Sequence, residues 1–275
     1  MNILDIIEEI EKVDAEVYER LNPRRQAMKQ FYGWGSKVAL AAAPLALGSL
    51  FNKAYGQTAP TAVADVLNFA LTLEYLEYNY YEKALSCPGL IPGDCMNAIK
   101  TIRDHEKAHV ALLKGAIEGI NAKPVSFTAS QFDFTAKGTF GNVFTSYPVF
   151  LAVAQAFEDT GVRAYKGQAG NLMTAPDVLE VALKIHSVEA RHASQIRAMR
   201  RAPKGGNMTM LKPWITGAND SGVPQVDAVY KGEDNVTQGG VSITGLGFSA
   251  SAATEAFDEP LMTADVLAIA GLFIK

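Results

Sequence analysis

Apolar residues recur at helical spacing along four stretches of the chain, and turn-forming residues close each one. The first runs over about 61–86, with Leu67, Ala70, Leu71, Glu74, Tyr78 and Tyr81 in register. The segment CPGLIPG that follows stops it with two prolines and two glycines. Asp94 is then placed to cap a second helix reaching about 121. Residues 122–141, with SFTASQFDFTAKGTFG, alternate aromatic and polar positions and read as extended or looped. A third helix begins at 142 or 148 and runs to 169, with Pro148 near its first turn and Gly170-Asn171 closing it. A fourth occupies about 175–200 behind Pro176. Short links join the first pair and the second pair, and a long link joins the pairs. That pattern predicts an all-α protein, a four-helix bundle with one long crossover.

The two ends depart from this pattern. Residues 203–258 are rich in Gly, Asn, Asp and Ser and predict an irregular covering segment. Thr263 would cap a short apolar helix, ADVLAIAGLFI, packed on the bundle. At the other end, residues 1–22 form an amphipathic pattern, followed by Pro23-Arg24-Arg25-Gln26-Ala27-Met28-Lys29, the apolar run VALAAAPLALGSLF at 38–51, and Ala54-Tyr55-Gly56. Twin arginines, a following lysine, a moderate apolar run and a small-x-small exit make a twin-arginine-type export signal. Cleavage after Gly56 would start the mature chain near Gln57. The run 38–51 is shorter than the roughly 20 residues a spanning helix needs, so a membrane tether there is the alternative. The chain therefore divides into a leader, 1–56, the bundle, 57–202, and a glycine-rich segment with the final helix, 203–275. Export by this route delivers an already folded, periplasmic or otherwise extracytoplasmic protein, and its first partner is the twin-arginine export machinery.

Charge adds little. A net charge of −4 and a pI near 5.6 argue against nucleic acid as the main partner. Cys87 and Cys95 flank the turn between the first two helices and are a disulfide candidate in an oxidising compartment, or else two free thiols.

The histidines change the picture. All four (His105, His109, His186, His192) fall in two segments that each carry Glu-x-x-His: Glu106–His109 and Glu189–His192, offset by 83 residues. Positions three apart share a helix face, so each pair closes on one ion from one side. The remaining helices match as well: Glu74 and Tyr81 correspond to Glu158 and Tyr165 at an offset of 84, Ala70 to Ala154, Leu73 to Phe157, and Leu113 to Ile196. Two halves related by a pseudo-two-fold axis suit a symmetric dimetal site. Two divalent ions about 3.5–4 Å apart place four positive charges in a low-dielectric core, and four carboxylates balance them. Glu106 and Glu189 would bridge, Glu74 and Glu158 would each bind one ion, and His109 and His192 would each add a nitrogen. Glu77 shares the Glu74 face and is a further candidate, although its repeat partner is Gly161. His105 is a rival to His109 with Val188 as its partner, and His186, matching Arg103, suits hydrogen bonding to a ligand better than ligation.

One Glu from each of two helices and Glu-x-x-His from each of the other two is the ligand pattern of ferritin-like dimetal carboxylate proteins. Over about 61–200, most clearly in LNFALTLEYLEYNYYEKA, and again in the closing FDEPLMTADVLAIAGLFI, the chain resembles the ferritin-like domain family, which includes exported bacterial proteins and plant desiccation-related proteins. The resemblance implies that Tyr81, seven residues after the first ligand, lies beside the metals, and the repeat extends this to Tyr165; both are otherwise packed phenols. It also implies two iron ions, with manganese or a mixed pair as alternatives. Activity would then be oxidase, ferroxidase or peroxide scavenging, with dioxygen or peroxide as partner. Manganese would suit peroxide disproportionation as in the similar manganese catalases. A non-catalytic stress or desiccation-related protein with a stabilising metal site is the other reading. Self-association into a homo-oligomer stays open, but the glycine-rich tail and added helix differ from cage-forming ferritins.

Overall fold

The computed structural model describes residues 61–275 apart from Asn219, with side chains from Val63 onward. The expected leader, 1–56, and the alternative tether at 38–51 lie outside the described residues. Four long helices follow one another: α1 (Thr61–Leu85), α2 (Met96–Gly119), α3 (Tyr147–Ala169) and α4 (Pro176–Arg201). Two short helices, α5 (Ala250–Glu255) and α6 (Thr263–Ala270), lie near the C-terminus. The pairs α1–α2 and α3–α4 are joined by short turns, and residues 120–146 cross over between them, so the chain has the expected all-α bundle with one long connection and an irregular C-terminal region ending in a helix. Among the described residues no helix is long and apolar enough to cross a membrane.

Local chemistry sets the helix ends. Ser86, Cys87 and Pro88 end α1, since proline cannot continue its ladder. Pro148 lies in the first turn of α3, and Pro176 opens α4 with its φ already suited to a helix. Two expected caps differ. Cys95, not Asp94, occupies the N-cap of α2, because Asp94 is drawn outward to the Lys204 ammonium at 2.8 Å. Met262 precedes α6 without a side-chain cap, and the Thr263 hydroxyl instead accepts a bond from Gln168 Nε2 at 2.8 Å. Cys87 and Cys95 are unbridged thiols, where a disulfide was a candidate. The Cys87 sulfur turns back along its own helix and donates to the Lys83 carbonyl.

Helix α3 lies at the core of the bundle. Every residue from Phe150 to Tyr165 is buried, which a helix in a simple four-helix bundle would not be, since one face would meet water. The C-terminal segment covers that face. Gly167 marks a close approach: a Cβ there would lie 2.0 Å from the Leu261 carbonyl oxygen, so only glycine lets the segment pass. The crossover and the C-terminus also pair, with Asp133 N donating to Phe273 O at 2.7 Å and Lys275 N to Gln131 O at 2.9 Å. Phe273 meets Phe157 of α3 edge to face, centroids 4.7 Å apart.

Three buried arginines fasten the segment through its backbone carbonyls. Arg163 donates to Glu259 O at 2.8 Å and Lys231 O at 2.6 Å, and pairs with Glu233 at 2.7 Å. Arg197 joins Asp159 at 2.6 Å to Asp220 at 2.5 Å and to Trp214 O at 3.1 Å. Arg200 bridges Gln155 at 2.6 Å and Ser221 O at 3.0 Å. Breaking such a pair from one side leaves the other charge buried. Arg197→Met is therefore expected to cost about 3–5 kcal/mol in urea unfolding, with Arg197→Met/Asp159→Leu recovering part of it. An unchanged midpoint for the single variant would show that the arginine does not hold the segment.

Candidate dimetal centre

Glu74 on α1, Glu106 and His109 on α2, Glu158 on α3, and Glu189 and His192 on α4 converge at mid-height in the bundle, all of them buried. They form two overlapping clusters. Glu74, Glu106, His109 and Glu189 make one; Glu106, Glu158, Glu189 and His192 make the other; within each, ligand atoms lie within 4.8 Å of one another. Glu106 and Glu189 belong to both. Glu106 splits its oxygens, Oε2 lying 3.1 Å from His109 Nδ1 and Oε1 lying 2.7 Å from His192 Nδ1. His109 Nδ1 also faces Glu74 at 3.1 Å and Glu189 at 3.3 Å, and His192 Nδ1 faces Glu158 at 3.3 Å.

The pseudo-two-fold relation extends to the tyrosines. Tyr81 of α1 donates to Glu158 of α3, and Tyr165 of α3 donates to Glu74 of α1. Each phenol thus holds the carboxylate of the opposite repeat. Burial first, and the neighbouring carboxylates second, push both phenols well above their ordinary pKa, so they remain protonated donors.

These residues fit a pair of ions. Divalent bonds of about 2.0–2.2 Å set ligands at right angles about 3 Å apart, close to the 2.7–3.3 Å between the carboxylate and imidazole atoms here. Glu106 Oε1, Glu158 Oε2, both oxygens of Glu189 and His192 Nδ1 make no hydrogen bond although fully buried, a costly arrangement without a counter-charge. In the metal-free site protons meet that need. Burial and the Glu74 charge lift Glu106 to about 7, and burial with the Glu106 charge lifts Glu189 well above the carboxylate range. Burial alone would lower the imidazoles, but at His109 the Glu74 charge and the contacts with Glu106 and Glu189 together outweigh it. At His192 burial is again opposed, here by Glu158, Glu106 and Glu189 acting together, which raise it to about 11.

The remaining candidates take other places. Glu77 is buried but belongs to neither cluster; burial, then the Glu189 charge, raise its pKa well above the usual range. It borders a small cavity with Thr160, Gly161 and Ile269, so α6 roofs it. Gly161, its repeat partner, provides the room: a Cβ there would lie 2.8 Å from Glu189 Oε2 and 3.3 Å from Glu77 Oε1. That role was missed in the sequence, although a glutamate in one repeat facing a glycine in the other was the signal. His105 is exposed, its Nδ1 2.9 Å from His192 Nε2 and its ring stacked on that imidazole, so it contacts the outer edge of a candidate ligand. His186 turns away and bonds the Val162 carbonyl at 2.9 Å.

A four-helix bundle enclosing a buried carboxylate–imidazole cluster of this kind defines a class of helical dimetal-type proteins. A family model described as the ferritin-like domain matches residues 62–202, and the chain belongs to that family. No match to the chain is found among curated proteins or among solved structures.

Proposed function

We propose that the chain is an exported dimetal-carboxylate oxidoreductase, with iron as the resident metal and dioxygen or peroxide as the oxidant. The observation that carries this reading is the pair of clusters sharing Glu106 and Glu189, with orphaned ligand atoms on both. Glu106 and Glu189 would bridge; Glu74 with His109, and Glu158 with His192, would complete the two positions. Iron held by these residues would supply redox chemistry toward the oxidant. The chain's own groups do the rest. Tyr81 and Tyr165 orient the terminal carboxylates, and the packed bundle keeps bulk water from the ligands.

The test uses protein purified from its native compartment without added metal. Elemental analysis should find about two iron ions per chain, and intact mass should start near Gln57. Ferrous ion and air added to the metal-free protein should develop colour rapidly. Manganese in place of iron, with peroxide disproportionation, would move the assignment to the catalase-like chemistry. Two metals that react with neither oxidant would leave a stabilising role, as in a stress protein. Absence of metal before and after reconstitution would sink the reading, and retention of residues 23–56 would sink export.

A further inference from the structure

The two halves of the bundle differ beside their tyrosines. Next to Tyr81 the repeat places Tyr80, Ile99, Phe150 and Phe157, all buried. The rings fill that space: Tyr80 stacks on Phe150 with centroids 5.2 Å apart and meets Phe157 edge to face at 5.0 Å. Next to Tyr165 the corresponding residues are Ala164, Ala182, Val66 and Leu73, and the space is a cavity instead. Each of these pairs has less bulk on the Tyr165 side: three set an aromatic ring against a methyl or a short aliphatic chain, and the fourth sets isoleucine against alanine. Half-buried Val66, Phe69 and Val181 form the rim, so the cavity reaches from near the surface to the phenol that holds Glu74.

Size and lining select the occupant. Centres of a water-sized molecule have about 20 Å³ available, where one such molecule needs about 10–15 Å³. That leaves room for a diatomic and none for an organic substrate. A retained water needs two to four polar partners, and the wall turns only apolar surface to the cavity. Tyr165 donates to Glu74, while the Gln168 amide donates to Thr263 and accepts from Asn171. Water, hydrogen peroxide and metal ions would each lose hydrogen bonds or hydration there, and a small apolar gas would not.

We propose that the cavity beside Tyr165 holds dioxygen and delivers it to the Glu74–His109 side of the centre, making the two metal positions inequivalent. The delivery rests on the metal reading above; the gas site does not.

Crystals pressurised with xenon test the site directly, with or without metal. Xenon is expected beside Tyr165 and not beside Tyr81. Ala182→Ile copies the residue at the filled position, and Ala164→Met is a second, independent filling. Each should abolish the xenon peak, keep the wild-type metal content, and raise KM for dioxygen at least about tenfold with little change in kcat. No xenon in the wild-type cavity, or an unchanged KM in a variant whose cavity is filled, would overturn the proposal. A protein that takes up no metal would overturn the delivery together with the metal reading, whereas xenon beside Tyr165 in that protein would still uphold the gas site.

Discussion

Glu106→Ala is expected to strip the protein of both metal ions, while Glu77→Ala keeps them. Glu106 is shared between the two clusters, and its two oxygens face different imidazoles, 3.1 Å from His109 and 2.7 Å from His192. Its removal takes one donor and one negative charge from both positions at once. Apparent affinity should fall by more than about 100-fold, beyond the usual effect of changing a residue that only supports a ligand, and the metal content should approach zero. Glu189→Ala should behave alike. Glu74→Ala and Glu158→Ala touch one cluster each and should leave about one ion. Glu77 lies in neither, and its closest relation is electrostatic, to Glu189. The variants should fold, because each removes a carboxylate from a crowded, buried site; circular dichroism checks this. Metal analysis after identical loading decides the matter. Equal loss from Glu77→Ala and Glu106→Ala would mean that α1 offers a different ligand from the one assigned.

Much of this arrangement was legible because it depends on spacing. Glu-x-x-His and the 83- and 84-residue offsets require only that side chains on one helix face meet those on another. The structure does bring the six expected residues into one site. Helix bounds were legible where Pro or Gly interrupts the ladder, as at Pro88 and Pro176. The rest depends on backbone or on empty space, which side-chain periodicity does not report. Arg163 and Arg197 look in sequence like ordinary charges on a helix surface. Their burial follows from carbonyls of a segment whose composition suggested only loop. Helix α5, ASAATE, is too short and too small in its side chains to show an apolar face. Asp94 is chemically suited to cap α2, but Lys204, distant in sequence, holds it elsewhere. The cavity beside Tyr165 emerges only when the two repeats are compared position by position.

Metal is expected to reverse the way stability depends on pH. In the metal-free protein Glu106 is raised from 4.5 to about 7, and Glu77 and Glu189 are also raised well above the usual carboxylate range, burial being the main cause in each. A carboxyl group raised on folding binds more protons in the native state between its unfolded and folded values. Its contribution is therefore complete below about 4.5 and lost as pH rises through the folded value. His192, raised to about 11 against the burial that would lower it, acts with the same sign, complete below its unfolded value near 6.5 and declining from there until pH passes about 11. Glu74 moves the other way, burial being outweighed by the His109 charge together with hydrogen bonds from His109, Glu106 and Tyr165. Glu106 alone corresponds to about 3 kcal/mol lost between pH 4.5 and 7. Bound metal displaces those protons, so its apparent affinity should rise about tenfold per pH unit for each proton released. Urea unfolding with and without metal, from pH 5.5 to 8, measures both effects. The metal-free midpoint should fall with pH, and the gap to the loaded protein should widen by at least about 1.4 kcal/mol per unit at fixed free metal. Parallel curves would mean that metal binds without displacing protons from the buried carboxyls and imidazoles, and so outside this cluster.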